Sequence, residues 1–254
     1  MAIFDSHLHI IDPAFPLVEN AGYLPPPFTV ADYRARMAGW DLRGGAVVSG
    51  SFQAFDQGYL LAALRELGEG FVGVTQLPPT VSDDEILALA AAGVRGLRFN
   101  LRRGGSADAR DLAVMAARCH ELAGWHVELY VDAAMPADLR KMLPTLPAVA
   151  IDHLGLSRAG QPALLALAER GVRVKATGFG RLDFPAAESL RDLHAANPAA
   201  LLFGSDLPST RAPRPFRDAD VDLIREVLGE DGARAVLGDN ARMFYRVETA
   251  ADGG

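Results

Sequence analysis

Two histidines two residues apart, His7 and His9, close the first apolar run of the chain, AIFDSHLHI. In an extended strand alternate side chains project to the same side, so both imidazoles leave one strand end together. Near neutral pH imidazole serves as a metal ligand, an acid–base group or a hydrogen-bond donor to developing charge. A His-x-His alone is a weak signal, because unrelated core or surface histidines make the same pattern. Its weight depends on what else the chain places at the ends of its apolar runs.

Eight such runs recur: AIFDSH, GGAVVSG, FVGVTQL, VRGLRFN, HVELYVDA, AVAIDHLG, VRVKATG and LLFGSD. Their β-branched content and their glycine or polar borders suit buried parallel strands. Between them, residues 59–67, 83–91, 108–123, 136–143, 161–170, 184–196 and 218–228 have helical composition and spacing. Eight strand–helix alternations predict a single (β/α)8 TIM barrel over residues 1–247, with a disordered tail over 248–254. An open doubly wound sheet is the other solution, but no GxGxxG or GxxxxGK[ST] motif follows a strand. The proline-rich stretch 12–28 follows the first strand directly and is expected to fold over the barrel mouth. The segment 211–216 is a second loop of that kind.

Active sites of such barrels form at the C-terminal strand ends. Polar residues gather there in this chain: His7 and His9, then Arg98 and Asn100, Glu128 and Tyr130, Asp152 and His153, Lys175 and Thr177 with Arg181 beyond, and Ser205 with Asp206. A purely structural barrel has no need of that pattern.

The bulk numbers narrow the class. The chain has 254 residues, half of them hydrophobic, which is enough for one large core. A net charge of −7 argues against nucleic acid as a partner. The single cysteine, Cys119, permits no intramolecular disulfide and lies in the helical pattern LAVMAARCHELA, where it reads as core. No signal peptide and no membrane span are visible, so a cytoplasmic protein is expected. The sequence leaves oligomeric state open, a homo-oligomer included.

The segments DSHLHI, VRGLRFN, WHVELYVDA, IDHLG, VKATG and GSDLP together resemble the amidohydrolase superfamily. They resemble in particular the branch that contains 2-pyrone-4,6-dicarboxylate hydrolase and the sugar lactonases. The resemblance spans residues 3–247. It implies that His7, His9, His153 and Asp206 are catalytic, with Asp206 taking a proton from the attacking water and the histidines donating to the carbonyl oxygen. It implies that Arg98, Tyr130 and Arg181 bind substrate oxygen or carboxylate. It also implies a mechanism without metal, with one zinc on His7, His9 and Asp206 as the alternative. Two departures from the pattern matter. Leu156 stands where the pyrone hydrolase has an arginine, which removes one arm of a dicarboxylate clamp and suggests an apolar contact and a monocarboxylated or mixed polar–apolar lactone. Arg102 and Arg103 are read as solvated loop charges. Arg98 and Tyr130 replace the further metal ligands of metal-dependent members.

Other residues have plainer readings. His120, His126 and His194 are expected to be structural or solvated. Asp5 would cap or orient the first strand end, and Ser205 would support the site by hydrogen bonding. Asp152 is expected to point away from His153. Glu128 would sit deep in the barrel and need a partner, with Lys175 as a candidate. The function expected is hydrolysis of a small carboxylated lactone or similar cyclic ester. The alternatives are a metal-dependent decarboxylase of an unsaturated or aromatic acid, and a non-catalytic binder of small acids. No Gly-x-Ser-x-Gly elbow supports a serine hydrolase.

Overall fold

A computed structural model describes residues 1–247; the tail expected to be disordered lies outside the described residues. Eight parallel strands pair in chain order: β1 (Ile3–Leu8), β2 (Leu42–Val48), β3 (Phe71–Thr75), β4 (Val94–Phe99), β5 (His126–Leu129), β6 (Val149–Ile151), β7 (Arg173–Ala176) and β8 (Leu201–Phe203). The ring is drawn together beyond β8. The amide of Asp206 donates to His7 O at 2.7 Å, and that of His9 donates to Leu207 O at 2.8 Å. The result is the expected (β/α)8 TIM barrel.

Helices α1 (Val30–Met37), α2 (Gly58–Leu67), α3 (Asp83–Ala91), α4 (Leu112–Ala123), α5 (Ala137–Met142), α6 (Gln161–Glu169), α7 (Ala186–Ala196) and α8 (Asp218–Arg234) form the outer layer, and α9 (Asn240–Tyr245) follows. Local chemistry marks their ends. Ser82 accepts from Glu85 N at the start of α3, whose first turn is acidic and so complements the helix dipole. Gly124 ends α4 with φ +65°, a conformation that suits glycine. Among the described residues, no helix is long and apolar enough to cross a membrane.

Outward strand residues such as Val47, Leu97, Val127 and Leu129 pack against the helices in one large cluster, which includes Cys119 as expected. Burial pushes the Cys119 thiol up to about 11, so it is inert core. Inside the barrel, Phe4, Ala46, Val48, Val72, Val74 and Leu202 form an apolar floor closed by Ala241 and Tyr245 of α9. Phe4 and Tyr245 stack with ring centroids 5.4 Å apart. Above this floor the interior turns polar, and that layer carries the site.

Candidate active site

The β1–β2 register slips between Asp5 and Leu8. Such a bulge re-aims side chains. Phe4 belongs to the barrel floor, Asp5 meets Tyr33 of α1, and His7 returns to the interior. Asp5 accepts from Ser205 N at 2.8 Å, Ser205 Oγ at 2.6 Å, His7 N at 3.2 Å and Tyr33 OH at 3.0 Å. It therefore ties the end of β1 to the end of β8, as the sequence suggested for both Asp5 and Ser205. Burial outweighs these bonds and raises its pKa to about 6.

The four candidate catalytic residues meet at the strand ends. The rings of His7 and His9 lie 5.1 Å apart, as do those of His7 and His153. His7 Nε2 and His9 Nε2 each stand 3.9 Å from Asp206 Oδ1. Two glycines make this convergence possible. A Cβ on Gly178, where φ is +60°, would come within 2.5 Å of His153 Nδ1, and one on Gly204 within 2.7 Å of His7 Cβ. His153 and Asp206 hold φ of +53° and +60°. Such strain at a non-glycine residue costs of order 1–3 kcal/mol and persists only where the surroundings enforce it.

Burial keeps the histidines neutral. It drives His7 and His153 well below the usual imidazole range, helped by Lys175 and Arg98 for His7 and by Arg181 for His153. His9 falls to about 3, from burial and then Arg98. A neutral ring donates from one nitrogen and accepts at the other. His9 Nδ1 lies 2.7 Å from the Val48 carbonyl, which only accepts. His9 Nε2 is therefore a lone pair, and the expectation that all three histidines donate does not hold for His9. Burial raises the pKa of Asp206, against the lowering by Arg181.

Arg98 is 2% exposed and its Nη2 pairs with Asp152 Oδ2 at 2.9 Å. Its Nε and Nη1 are buried and have no hydrogen-bond partner among the described residues. Tyr130 offers its ring to the Arg98 guanidinium at 6.0 Å, and its ring edge meets His153 at 5.0 Å. Arg181 is engaged: its Nε donates to Asp206 Oδ2 at 2.8 Å and its Nη2 to Thr210 O at 2.8 Å. Asp152 corrects the sequence reading. β6 ends at Ile151 and His153 turns into a left-handed backbone, so strand alternation no longer separates the two side chains. Asp152 points inward, with Oδ1 3.4 Å from His7 Nδ1.

Below the histidines lies the pair considered from the sequence. Lys175 Nζ donates to Glu128 Oε2 at 2.5 Å and to Ser6 O at 2.8 Å. Glu128 Oε1 also accepts from His126 Nε2 at 3.0 Å and from the Tyr245 hydroxyl. Burial alone would raise Glu128, but Lys175 beside it holds its pKa down at about 2. His126 is thus structural, as expected. His120 and His194 do not line the cavity.

The site opens into a cavity of about 380 Å³, its open mouth included, lined among others by His9, Arg98, Asn100, Tyr130, His153, Arg181 and Asp206. Ser51, Phe52, Arg103, Thr210 and Arg211 complete its rim. Three loops meet there. Asn20, from the stretch expected over the mouth, donates to Arg103 O at 3.1 Å and accepts from Arg211 Nη1 at 3.0 Å. Arg103 is an exposed loop charge, as expected, and it also lines the cavity. Leu156, expected as an apolar contact with substrate, is buried and does not line the cavity. His7, His9 and Asp206 bring one potential metal-ligand atom each within 4.8 Å of the others, and so do His7, Asp152 and His153.

Comparison with known proteins agrees with this architecture. The chain is 30% identical over 156 residues to a 2-pyrone-4,6-dicarboxylate hydrolase of Comamonas testosteroni, a match covering 59% of this chain and 51% of that protein. It is 27% identical to a 4-sulfomuconolactone hydrolase of Rhizobium radiobacter over 95% of this chain and 89% of that one. A crystal structure of an Agrobacterium tumefaciens protein in apo form superposes with a TM-score of 0.85 at 24% identity, covering 98% of this chain and 97% of that chain. A family model described as Amidohydrolase matches residues 4–247. The chain belongs to the amidohydrolase family.

Proposed function

We propose that the protein hydrolyses a lactone, or a similar cyclic ester, that carries carboxylate. One observation carries this reading: Asp206 Oδ1 is buried, has no hydrogen-bond partner among the described residues, and faces His7 and His9 beside the two unpaired donors of Arg98. Buried polar atoms left without partners mark places where a ligand completes the bonding. The two relatives named above act on such substrates by their names.

The chemistry follows from the donors and acceptors. Asp206 Oδ1 and His9 Nε2, acceptors 3.9 Å apart, suit the two hydrogens of one water. Asp206 takes a proton from that water as its oxygen bonds to the ring carbonyl carbon. Negative charge builds on the carbonyl oxygen, where His7 and His153 donate hydrogen bonds. The ring C–O bond then breaks and the leaving oxygen takes the proton back from Asp206. The product is the open hydroxy acid. Arg98, through its free Nε and Nη1, holds the substrate carboxylate as a planar fork. Tyr130 orients a substrate oxygen. Arg181 supports Asp206 first, and substrate only through hydrogens not already committed.

A metal on His7, His9 and Asp206 is the competing arrangement. His9 and Asp206 present lone pairs suited to it. His7 is divided: Lys175 Nζ, 3.3 Å from its Nδ1, can only donate and favours the hydrogen on Nε2, whereas Asp152 Oδ1, 3.4 Å from the same Nδ1, would accept its hydrogen and free Nε2 for a metal. With Lys175 as the partner, the His7 hydrogen sits on Nε2, where a metal would need a lone pair. Arg98 and Arg181 add positive charge beside the same position. We therefore propose a reaction without a metal, to be checked by activity after treatment with a chelator.

A substrate with a second acidic group suits the rim better than a monocarboxylate. Arg103 and Arg211 line the cavity and neither forms an ion pair among the described residues, while Arg211 is held at the rim by its Nη1 and Nη2 bonds to Asn20. They supply an anionic subsite in place of the arm lost at Leu156.

Incubation with a panel of carboxylated lactones tests the proposal. The expected product is one water heavier than the substrate. A product of unchanged mass, or release of carbon dioxide, would contradict hydrolysis.

A further inference from the structure

We infer that Lys175 is a positioning residue for His7: from β7 it fixes which His7 nitrogen carries the hydrogen and so leaves an Nε2–H donor beside Asp206 at the cavity's inner end. The inference rests on the reading of His7 as a donor to the substrate carbonyl.

Lys175 is fully buried at the centre of the barrel. An ammonium group has three hydrogens and no lone pair. Two hydrogens go to Ser6 O at 2.8 Å and Glu128 Oε2 at 2.5 Å. For the third, His7 Nδ1 stands at 3.3 Å, while Asp152 Oδ1 is 4.0 Å away. If Nδ1 receives that hydrogen it must offer a lone pair, and the hydrogen of the neutral ring then sits on Nε2. His7 Nε2 has no partner of its own among the described residues and lies 3.9 Å from Oδ1 of Asp206, which lines the cavity; His7 itself is buried just beneath that lining.

Asp152 competes for the same atom. Its Oδ1, 3.4 Å from His7 Nδ1, would favour the opposite tautomer, with the hydrogen on Nδ1. Two features favour Lys175. Asp152 has a cation in Arg98 on its Oδ2, although its Oδ1 has no hydrogen-bond partner among the described residues, whereas the third Lys175 hydrogen has no nearer acceptor than His7. The ammonium is also anchored. Glu128 grips it, and Glu128 is itself held by His126 and by Tyr245 from the closing helix α9. Lys175, Glu128, His126 and Tyr245 are hydrogen-bonded to one another, and a bonded buried chain specifies one arrangement. It runs from the barrel floor to the reacting centre, and nothing in it need touch substrate.

The test uses the full chain labelled with 15N in histidine. Ring nitrogen shifts separate a protonated nitrogen from a lone-pair nitrogen, and His7→Gln identifies the His7 signal. The variant is Lys175→Met combined with Glu128→Gln, so that no lone carboxylate is left buried. The expected result is a His7 hydrogen on Nε2 in the native protein and on Nδ1, facing Asp152, in the double variant. On the lactone, kcat is expected to fall about tenfold to a hundredfold, the range typical when the partner that orients a functional histidine is lost. KM is expected to change less than about twofold, since ground-state binding is untouched. Tyr245→Phe keeps the ring on Phe4 and should give a smaller fall of the same kind. It serves alone should the double variant not fold. The inference is overturned by a native His7 hydrogen on Nδ1, by a tautomer that ignores the loss of Lys175, or by an unchanged kcat. The spectra need no substrate, so they decide the tautomer even if the lactone reading fails.

Discussion

Arg181 Nε donates to Asp206 Oδ2 at 2.8 Å, which leaves Oδ1 as the carboxylate oxygen that faces His7 and His9. The guanidinium is braced in turn by Thr210 O. This pairing orients the proposed base and opposes the rise in its pKa that burial causes. Arg181→Gln should lower kcat about tenfold or more through misplacement of the base. It should also move the acid limb of the rate profile to higher pH, because the charge that favoured the ionised form is gone.

The sign in the native protein follows from the same balance. Asp206 must be ionised to accept a proton, and its pKa lies above the ordinary 3.8. Activity should be present above that raised value and lost as the pH falls through it. A profile of kcat/KM against pH whose acid limb sits at or below 3.8 would contradict the assignment.

Asp5 should matter for stability more than for chemistry. Asp5→Ala leaves the Ser205 amide and hydroxyl, the Tyr33 hydroxyl and the His7 amide without their acceptor. A loss of about 2–4 kcal/mol is expected in denaturant unfolding, from buried donors left unpaired. The folded pKa of about 6 exceeds the ordinary 3.8, so the folded state binds the extra proton between them. The stability gap between native and variant proteins should therefore be widest below 3.8 and narrow as the pH rises through about 6.

Gly178→Ala tests the packing that seats His153. The new Cβ would lie 2.5 Å from His153 Nδ1, at a φ of +60° that alanine resists. The backbone strain alone costs roughly 1 kcal/mol, which a barrel of this size tolerates. The displaced donor should cost about a hundredfold in kcat. Circular dichroism would show the fold retained. Native turnover in the variant would remove His153 from the proposed donor pair.

Arg211→Gln separates a singly from a doubly acidic substrate. For a lactone with two acidic groups, KM should rise about tenfold with kcat unchanged, the signature of lost ground-state binding. A monocarboxylated lactone should be indifferent. Equal effects on both substrates would mean that Arg211 only braces Asn20 and the mouth loops.

Much of this arrangement was legible in the sequence because the barrel's own rules place side chains. Eight apolar runs with glycine borders gave eight strands, and strand ends gathered His7, His9, His153 and Asp206 from three parts of the chain. What escaped depended on backbone detail or on distant partners. Helix α1 leaves little trace in the sequence because its apolar residues, Val30, Tyr33 and Met37, are few, and because its capping box ends in Asp32 rather than the usual glutamate or glutamine. Strand alternation does not predict the inward turn of Asp152, because β6 has already ended at Ile151. The bond of Arg181 to Asp206, and the place of Arg103 and Arg211 at the rim, depend on loops whose paths no periodicity records. The Lys175–Glu128 pair could be suspected from the strand faces, but a contact across 47 residues needed the folded chain.

The most direct test of the account is turnover by Asp206→Asn. The amide keeps the size and the contact with Arg181 but cannot take a proton from water. A fall in kcat of about a thousandfold, in a variant with native circular dichroism, is what a lost general base predicts. Turnover above about a tenth of the native rate would contradict the account, since general base catalysis is worth far more than that.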